Sequence, residues 1–347
     1  MNISFATKNQ ILNWNNLVIK NPDGGNIFQS YELSEIKSIQ GWKIRYLISS
    51  SCALTVYEKS YPFLGRFWYV PKGPSFNTVD SLKKFLEDFK CFAKNNNVFF
   101  IKIEPEIIDD GNTKKLMAEA DLIPCKPVQS NASTVILDTS PNLDKILQNL
   151  PQTSRYSINR AKKDGIITKL VEPSDKNFDI MLSMMKETMS GKKSVMRSDD
   201  YYKLFWNKFV KNDMGALFFA YDDKTPIAGA FVMTYGKKAT YKDGGSIHKK
   251  TIYGASHALQ WHIIEWLKSK NISEYDMCGT PKSSEVNNSN HPYYGIGLFK
   301  TSFNKHVTDY VGAFDVVISK PKYLFWSKYY SRVVFFLYGK IMKKMYY

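Results

Sequence analysis

VDSLKKFLEDFKCFAKNNNVFFIKIEP, residues 79–105, sets the architecture. Its apolar residues recur at helical spacing as far as the Asn95–Asn97 run, and VFFIKIEP then reads as a short buried strand closed by Pro105. Just upstream, KIRYLISS (43–50) and ALTVYEK (53–59) alternate apolar and polar residues across a short polar turn, the pattern of a hairpin. RFWYVPKGP (66–74) adds a third strand ending at Pro71. Before these, NPDGGN (21–26) is a turn cluster, and FQSYELSEIKSIQGW (28–42) reads as a short helix ending near Gly41. Together they make a mixed sheet-and-helix unit.

The same order recurs downstream. A basic helix is expected over 151–164 and a longer helical stretch over 175–212. They are followed by the strands ALFFAYDD (216–223), IAGAFVMTYG (227–236) and KATYKDGG (238–245). ASHALQWHIIEWLKSKN (255–271) is an amphipathic helix, EYDMCG (274–279) a strand end, and VGAFDVVI (311–318) another strand. The repeat is one of architecture and not of letters. The expected fold class is α/β (α+β), with two units in tandem and no low-complexity linker between them.

A chain of 347 residues with 44% hydrophobic and 15% aromatic content can bury a sizeable core. Lys and Arg number 48 against 32 Asp and Glu, a net charge of +16 spread along the chain. That balance fits a polyanionic partner such as nucleic acid, a nucleotide diphosphate or anionic lipid, as well as a basic protein that is merely soluble. Cys52, Cys91, Cys125 and Cys278 form no CxxC pair, which fits a reducing compartment. No signal-peptide core opens the sequence, and no stretch is long enough to span a bilayer, so a cytoplasmic location is expected.

Three segments carry candidate chemistry. LPQTSRYSINRAKKDGI (150–166) sets Arg155, Arg160, Lys162 and Lys163 on one helix, either as a polyanion contact or as a solvated face with Ile158 and Ala161 inward. In EYDMCGTPKSS, Asp276 stands at a strand end, where it can be functional or cap a loop. In HPYYGIGLFKTSFNKH (291–306), Gly295 and Gly297 precede Phe299 and Lys300 and permit either close backbone approach to a ligand or a turn.

The conjunction of FQSYELSEIKSIQGW, IKIEP, STVILDTS, SRYSINRAKKDGI, EYDMCG and GIGLFKTSFNKHVTDYVGAFD, in this order over nearly the whole chain, resembles the Fem transferases. The resemblance implies two tandem subdomains of the acyl-CoA N-acyltransferase (GNAT) type, 1–140 plus 318–347 and 141–317, with a cleft between them. It implies transfer of Gly, Ala or Ser from aminoacyl-tRNA to the stem-peptide amine of a peptidoglycan precursor, either UDP-MurNAc-pentapeptide or lipid II. No cofactor and no metal are implied beyond the charged tRNA, and a monomer is expected. The absence of a long helical arm resembles members acting on the soluble nucleotide-linked precursor.

Matched by position, Lys37 and Arg197 correspond to family residues that hold the substrate diphosphate, and Tyr201 and Tyr241 to tyrosines lining the same cleft. Phe299 and Lys300 correspond to a Phe-Lys pair beside the reacting groups. Glu104 is the third candidate catalytic residue, standing where many members have Asp before Pro, a departure that sets its part in proton transfer against the family pattern. Competing readings are an acyl-CoA-dependent N-acyltransferase, whose pyrophosphate loop KKTIYGASHA (249–258) matches poorly, and a non-enzymatic tRNA- or membrane-binding adaptor.

After Asp315 the chain has no acidic residue, while Lys320, Lys322, Lys328, Arg332, Lys340, Lys343 and Lys344 alternate with Tyr, Phe and Trp. Residues 320–347 therefore read either as an interfacial helix contacting the inner face of a membrane or as a helix docked on the first subdomain with its lysines in water.

Overall fold

The computed structural model describes residues 3–129, 132–190, 196–247, 253–341 and 346–347. Residues 249–252 of KKTIYGASHA, 191–195 of the long helical stretch, and Lys343 and Lys344 lie outside the described residues.

From the N-terminus the elements are β1 (Ser4–Phe5), α1 (Lys8–Leu12), α2 (Trp14–Val18), α3 (Tyr31–Ile39), β2 (Lys43–Ile48), β3 (Ala53–Tyr61), β4 (Gly65–Val70), α4 (Val79–Asn95), β5 (Val98–Ile103), α5 (Asn112–Glu119) and β6 (Ile123–Cys125). Next come β7 (Ser133–Asp138), α6 (Leu143–Asn149), α7 (Gln152–Lys163), β8 (Ile167–Val171), α8 (Asp175–Met189), α9 (Asp199–Lys211), β9 (Gly215–Asp222), β10 (Thr225–Tyr235), β11 (Lys238–Ser246), α10 (Ala255–Ser269), β12 (Glu274–Gly279), α11 (Tyr294–Thr301) and β13 (Thr308–Asp309). The chain closes with β14 (Ala313–Val317), α12 (Lys320–Phe325) and α13 (Ser331–Phe336), with π-helical turns at 326–330 and 337–341.

Side-chain caps start the principal helices where hydroxyl residues precede an apolar run. Ser30 caps α3, Thr78 caps α4, Ser174 caps α8 and Ser198 caps α9, each accepting from an amide of the first turn.

Two compact units result, residues 1–132 with 310–347, and residues 133–309. The first holds a sheet in the order β1-β2-β3-β4-β5-β14-β6 and the second one in the order β13-β7-β12-β11-β10-β9-β8. Read from β1 and from β8, both follow one pattern: three antiparallel neighbours, one parallel pair (β4/β5, β11/β12), then two antiparallel neighbours. The expectation of two mixed sheets flanked by helices, repeated in architecture and not in letters, is met. The seams fall at 132/133 and 309/310, where the sequence placed them at 140/141 and 317/318. The reason is pairing: β7 joins β12 in the second sheet, and β14 inserts between β5 and β6 in the first.

Each sheet carries a core. In the first unit Trp68, Val70 and Ile101 meet Leu82, Phe85 and Phe89 of α4, and in the second Phe218, Ala230 and Tyr275 meet Leu259, Ile263 and Leu267 of α10. The opposite face of the first sheet is covered by the C-terminal helical segment. Tyr323, Trp326 and Val334 are buried there against Tyr57, Phe67, Phe99 and Phe100. Lys59 is held in this layer with its ammonium 4.4 Å from the Trp42 ring, 4.2 Å from Tyr338 and 4.0 Å from Tyr346, donating to the Tyr338 hydroxyl and the Tyr346 carbonyl. Burial pushes the Lys59 pKa down to about 8.

One face of the tail is thus docked. Trp326→Ala is expected to lower the unfolding free energy by about 3–5 kcal/mol, the usual cost of emptying a buried indole site. Denaturant unfolding measures that loss, and limited proteolysis should show faster cleavage after residue 319.

Candidate functional site

In the second unit the parallel pair β11/β12 is joined only over Lys238–Thr240 and Glu274–Asp276, although β11 continues to Ser246 and β12 to Gly279. The corresponding pair in the first unit, β4/β5, stays paired from Arg66 to Val70. The two strands of the second sheet therefore part after Thr240 and Asp276, and the candidate site residues Tyr241 and Lys300 lie around that opening.

Two irregularities shape it. Between β10 and β11 the register runs from Val232 opposite Tyr241 to Phe231 opposite Asp243, leaving Lys242 as the extra residue of a β-bulge. Tyr241 packs toward the α10 core, whereas Asp243 accepts from the indole N–H of Trp206 on α9 at 2.9 Å. Lys242 pairs with Asp243 at 2.9 Å and lies 5.2 Å from the Phe205 ring. Burial alone would pull the Lys242 pKa down, but Asp243 and neighbouring tyrosines hold it above the ordinary lysine value. Burial also raises the Tyr241 hydroxyl. The glycines Gly244 and Gly245 admit close packing here. A Cβ on Gly244 would collide with the Tyr241 ring, and one on Gly245 would fall 2.5 Å from the Met185 amide nitrogen of α8.

The second irregularity lies in β12. Asp276 opposes Ile136 and Gly279 opposes Thr134, so β12 carries one residue more than its partner β7, and Cys278 adopts φ +61°. Asp276 accepts from the Cys278 amide at 2.7 Å and from the Thr134 hydroxyl, capping the bulge. Of its two sequence readings, the structural one fits. The bulge presents the Gly279 carbonyl to Lys300 of α11, whose ammonium donates to it at 2.7 Å. Lys300 is buried; desolvation lowers its pKa, opposed by Cys278 and Asp276, and the net shift is downward.

Gly295 and Gly297 lie within α11 and not in a turn. A Cβ on Gly297 would stand 3.0 Å from Pro281, so that glycine lets α11 sit close to the chain leaving β12. Phe299 is half-buried, edge-on to His257 at 5.2 Å and to Phe303 at 5.5 Å. His257 stacks on Phe303, shares a hydrogen bond of 3.0 Å with the Ser302 hydroxyl, and is pushed by burial to a pKa of about 4. It therefore stays neutral and fixes the Phe299 side of α11.

Arg197 precedes α9, and its guanidinium lies 4.6 Å from the centre of the Tyr201 ring. Tyr201 in turn contacts Tyr202 and Phe205. Arg197, Tyr201 and Lys242 thus gather at the start of α9, two cations and an aromatic face on one surface. Of the basic helix, Arg155 donates to the Gln148 and Leu150 carbonyls and Arg160 pairs with Asp164, while Ile158 and Ala161 are buried. Arg155 and Arg160 are spoken for structurally.

The first unit holds Lys37, buried on the last turn of α3, and Glu104, just after β5. Glu104 accepts from the Tyr69 hydroxyl at 2.7 Å and from the Val128 and Gln129 amides. Burial raises its pKa against those hydrogen bonds. This carboxylate anchors the 127–129 segment, and it lines a small pocket with Lys72, Glu106, Gln129 and Tyr310. Lys72 pairs with Glu106 at 3.0 Å, and Asn26 donates to the same carboxylate at 2.6 Å.

A sequence profile of the FemAB family matches residues 13–120, 126–221 and 212–330. The lipid II:glycine glycyltransferase of Staphylococcus aureus (strain USA300) is 20% identical, covering 88% of this chain and 91% of its own. Among solved structures, FemX superposes with a TM-score of 0.77 at 16% identity, over 93% of this chain and 99% of that one. The C-terminal domain of a putative lysylphosphatidylglycerol synthetase from Agrobacterium fabrum superposes with a TM-score of 0.51 at 14% identity, over 90% and 93%.

His257 yields an acid-side expectation. Its native pKa of about 4 lies below the ordinary 6.5, so between those values the unfolded chain takes up a proton that the native protein does not. Stability should fall as pH drops through that window, on the order of 2–3 kcal/mol from this group. Denaturant unfolding of His257→Gln across the same window should show that part of the slope removed.

Proposed function

The chain belongs to the FemAB family, and from that premise we propose that it transfers an amino acid from a charged tRNA to the stem-peptide amine of a peptidoglycan precursor. The observation that carries the reading is the buried Lys300 ammonium, aimed by α11 at the place where β11 and β12 part. The S. aureus relative is named for glycine transfer to lipid II, so glycine is the first donor to test.

In this reaction the peptide amine attacks the ester carbonyl that joins the amino acid to the tRNA ribose. The carbon becomes tetrahedral with negative charge on oxygen, the amine gives up a proton, and the ribose oxygen leaves and is protonated. An amine with a pKa of about 10.4 must lose its proton first, which at pH 7 costs roughly 4.6 kcal/mol. Lys300 acts on both sides of that cost. Its positive charge favours the neutral form of a nearby amine, and an ammonium in a poorly hydrated site stabilises the developing oxyanion far more than one in water. The Gly279 carbonyl keeps the ammonium oriented without neutralising it. Phe299 offers a ring face for the cationic amine before transfer, and His257 keeps that ring in place.

Precursors of both kinds carry a diphosphate, the one linked to nucleoside and the other to lipid. Arg197, with Tyr201 beside it and Lys242 nearby, supplies positive charge for it. Glu104, held by three donors, serves as a positioning carboxylate and not as the base.

Incubation of the purified protein with charged tRNA and the UDP-linked pentapeptide or lipid II, followed by mass measurement, tests the reading. A mass increase of one amino-acid residue is expected, and no increase with any charged tRNA would refute it. Lys300→Met should lower kcat by about 10²–10³-fold with the precursor dissociation constant little changed, because the charge matters most in the transition state. Arg197→Ala should instead raise KM for the precursor by about tenfold while kcat stays within a few-fold, as loss of a uniform phosphate contact requires.

A further inference from the structure

The C-terminal helical segment has two apolar faces, and the first sheet covers only one. Tyr323, Trp326, Tyr330 and Val334 form the docked stripe. A second stripe, Phe325, Tyr329, Val333, Leu337 and Ile341, points to solvent, with exposures of 50% at Phe325 and 63% at Tyr329 and Ile341. Leu324 and Phe336 flank it and are also exposed. Beside this stripe, on the neighbouring i, i+4 row, run Lys328, Arg332 and Lys340, all exposed. A helix docked on a globular unit ordinarily turns a polar face to water.

The hairpin tip between β3 and β4 extends the surface. Phe63 there is fully exposed. It stands two residues beyond Tyr61, whose ring lies 4.7 Å from Trp326 and 5.7 Å from Tyr330. The tip and the tail helix are therefore neighbours within one unit.

We propose that this surface is a membrane-docking face: the exposed stripe of 324–341, with Phe63, lies in the interface of an anionic bilayer while the flanking lysines and arginine meet lipid phosphates. Charge complementarity selects the occupant. From residue 316 to the end there are seven Lys or Arg and no Asp or Glu, so no carboxylate within the segment offsets its charge, whereas a protein groove would have to supply all the acidic groups itself. Aromatic and aliphatic side chains bordered by lysines fit the headgroup boundary, where ring and methylene surface is buried while ammonium groups remain with phosphate. Among the described residues no helix is long and apolar enough to cross a membrane, so the segment lies on the bilayer and does not span it. The face itself does not depend on the transfer reading. Combined with that reading, it favours the lipid-linked acceptor, which is anchored in the same surface.

Co-sedimentation of the full-length protein with vesicles tests the proposal. Phosphatidylglycerol–phosphatidylcholine vesicles should pellet the protein at low salt, and phosphatidylcholine vesicles should pellet at least about tenfold less. Val333→Glu with Phe336→Glu, and separately Lys328→Glu with Arg332→Glu, should each weaken anionic-vesicle binding about tenfold or more, with melting temperature and transfer to the soluble UDP-linked pentapeptide unchanged. All these residues are exposed, so the variants should fold. Equal pelleting of wild type and both variants would overturn the proposal, as would no pelleting with either vesicle. A dimer in light scattering that is lost in Val333→Glu, without vesicle binding, would make the face a contact between copies and overturn it as well. Failure of vesicle binding with soluble-acceptor transfer intact would leave the transfer reading standing.

Discussion

Strand β14 makes the first unit possible. It enters between β5 and β6, pairing Phe314 with Ile103 and with Pro124, and carries Asp315 to within 3.1 Å of the Lys102 ammonium. Burial would lower the Lys102 pKa, but Asp315 holds it above its usual value, so the ammonium stays charged. A buried pair adds little net stability, yet an unmatched partner would be costly, so the strand is committed to this one register. Because β14 comes from the far end of the sequence, residues 133–309 form an insertion folded around their own sheet. The same return delivers the C-terminal segment to the free face of the first sheet, where Trp326 and the cage around Lys59 fasten it.

Two sheets with one strand pattern differ most at the parallel pair. In the first unit β4 and β5 remain zipped; in the second β11 and β12 separate after three pairs. Bulges at Lys242 and near Cys278 accompany the separation, and each turns a polar group to use. The former brings Lys242 and Asp243 to α9, and the latter turns the Gly279 carbonyl toward Lys300. Close packing accompanies the irregularity: α8 approaches β11 at Gly245, and α11 approaches the chain leaving β12 at Gly297.

Most of the long elements were legible in the sequence because their signals are local. The apolar period of 3.6 from Val79 announces α4, and Pro105 after VFFIKIE closes β5. Strand β8, ITKLV, is half-exposed at a sheet edge and gives no clean alternation, and β7, within STVILDTS, was not read as a strand. Gly295 and Gly297 were read as a close approach to a ligand or as a turn, because glycine is unfavourable inside helices; both lie in α11, where Gly297 packs against Pro281. Lys300, Arg197 and Tyr241 became candidates through family resemblance and not through spacing. Lys242 was missed because a bulge reverses the face that alternation assigns, and Lys72 and Glu106 because their pairing is a matter of tertiary contact. The tail was read in two ways; its docking on the first sheet is observed, and membrane contact is the inference proposed for its exposed face.

Electrostatic catalysis by Lys300 requires a buried ammonium, oriented by the Gly279 carbonyl, whose desolvation outweighs its polar neighbours. Its most direct test is the titration of the Lys300 side-chain resonances by heteronuclear NMR, assigned through the Lys300→Arg variant. A pKa below that of ordinary lysines is expected. A value at or above the ordinary one would contradict a buried, poorly hydrated Lys300 and with it the electrostatic role assigned to that residue.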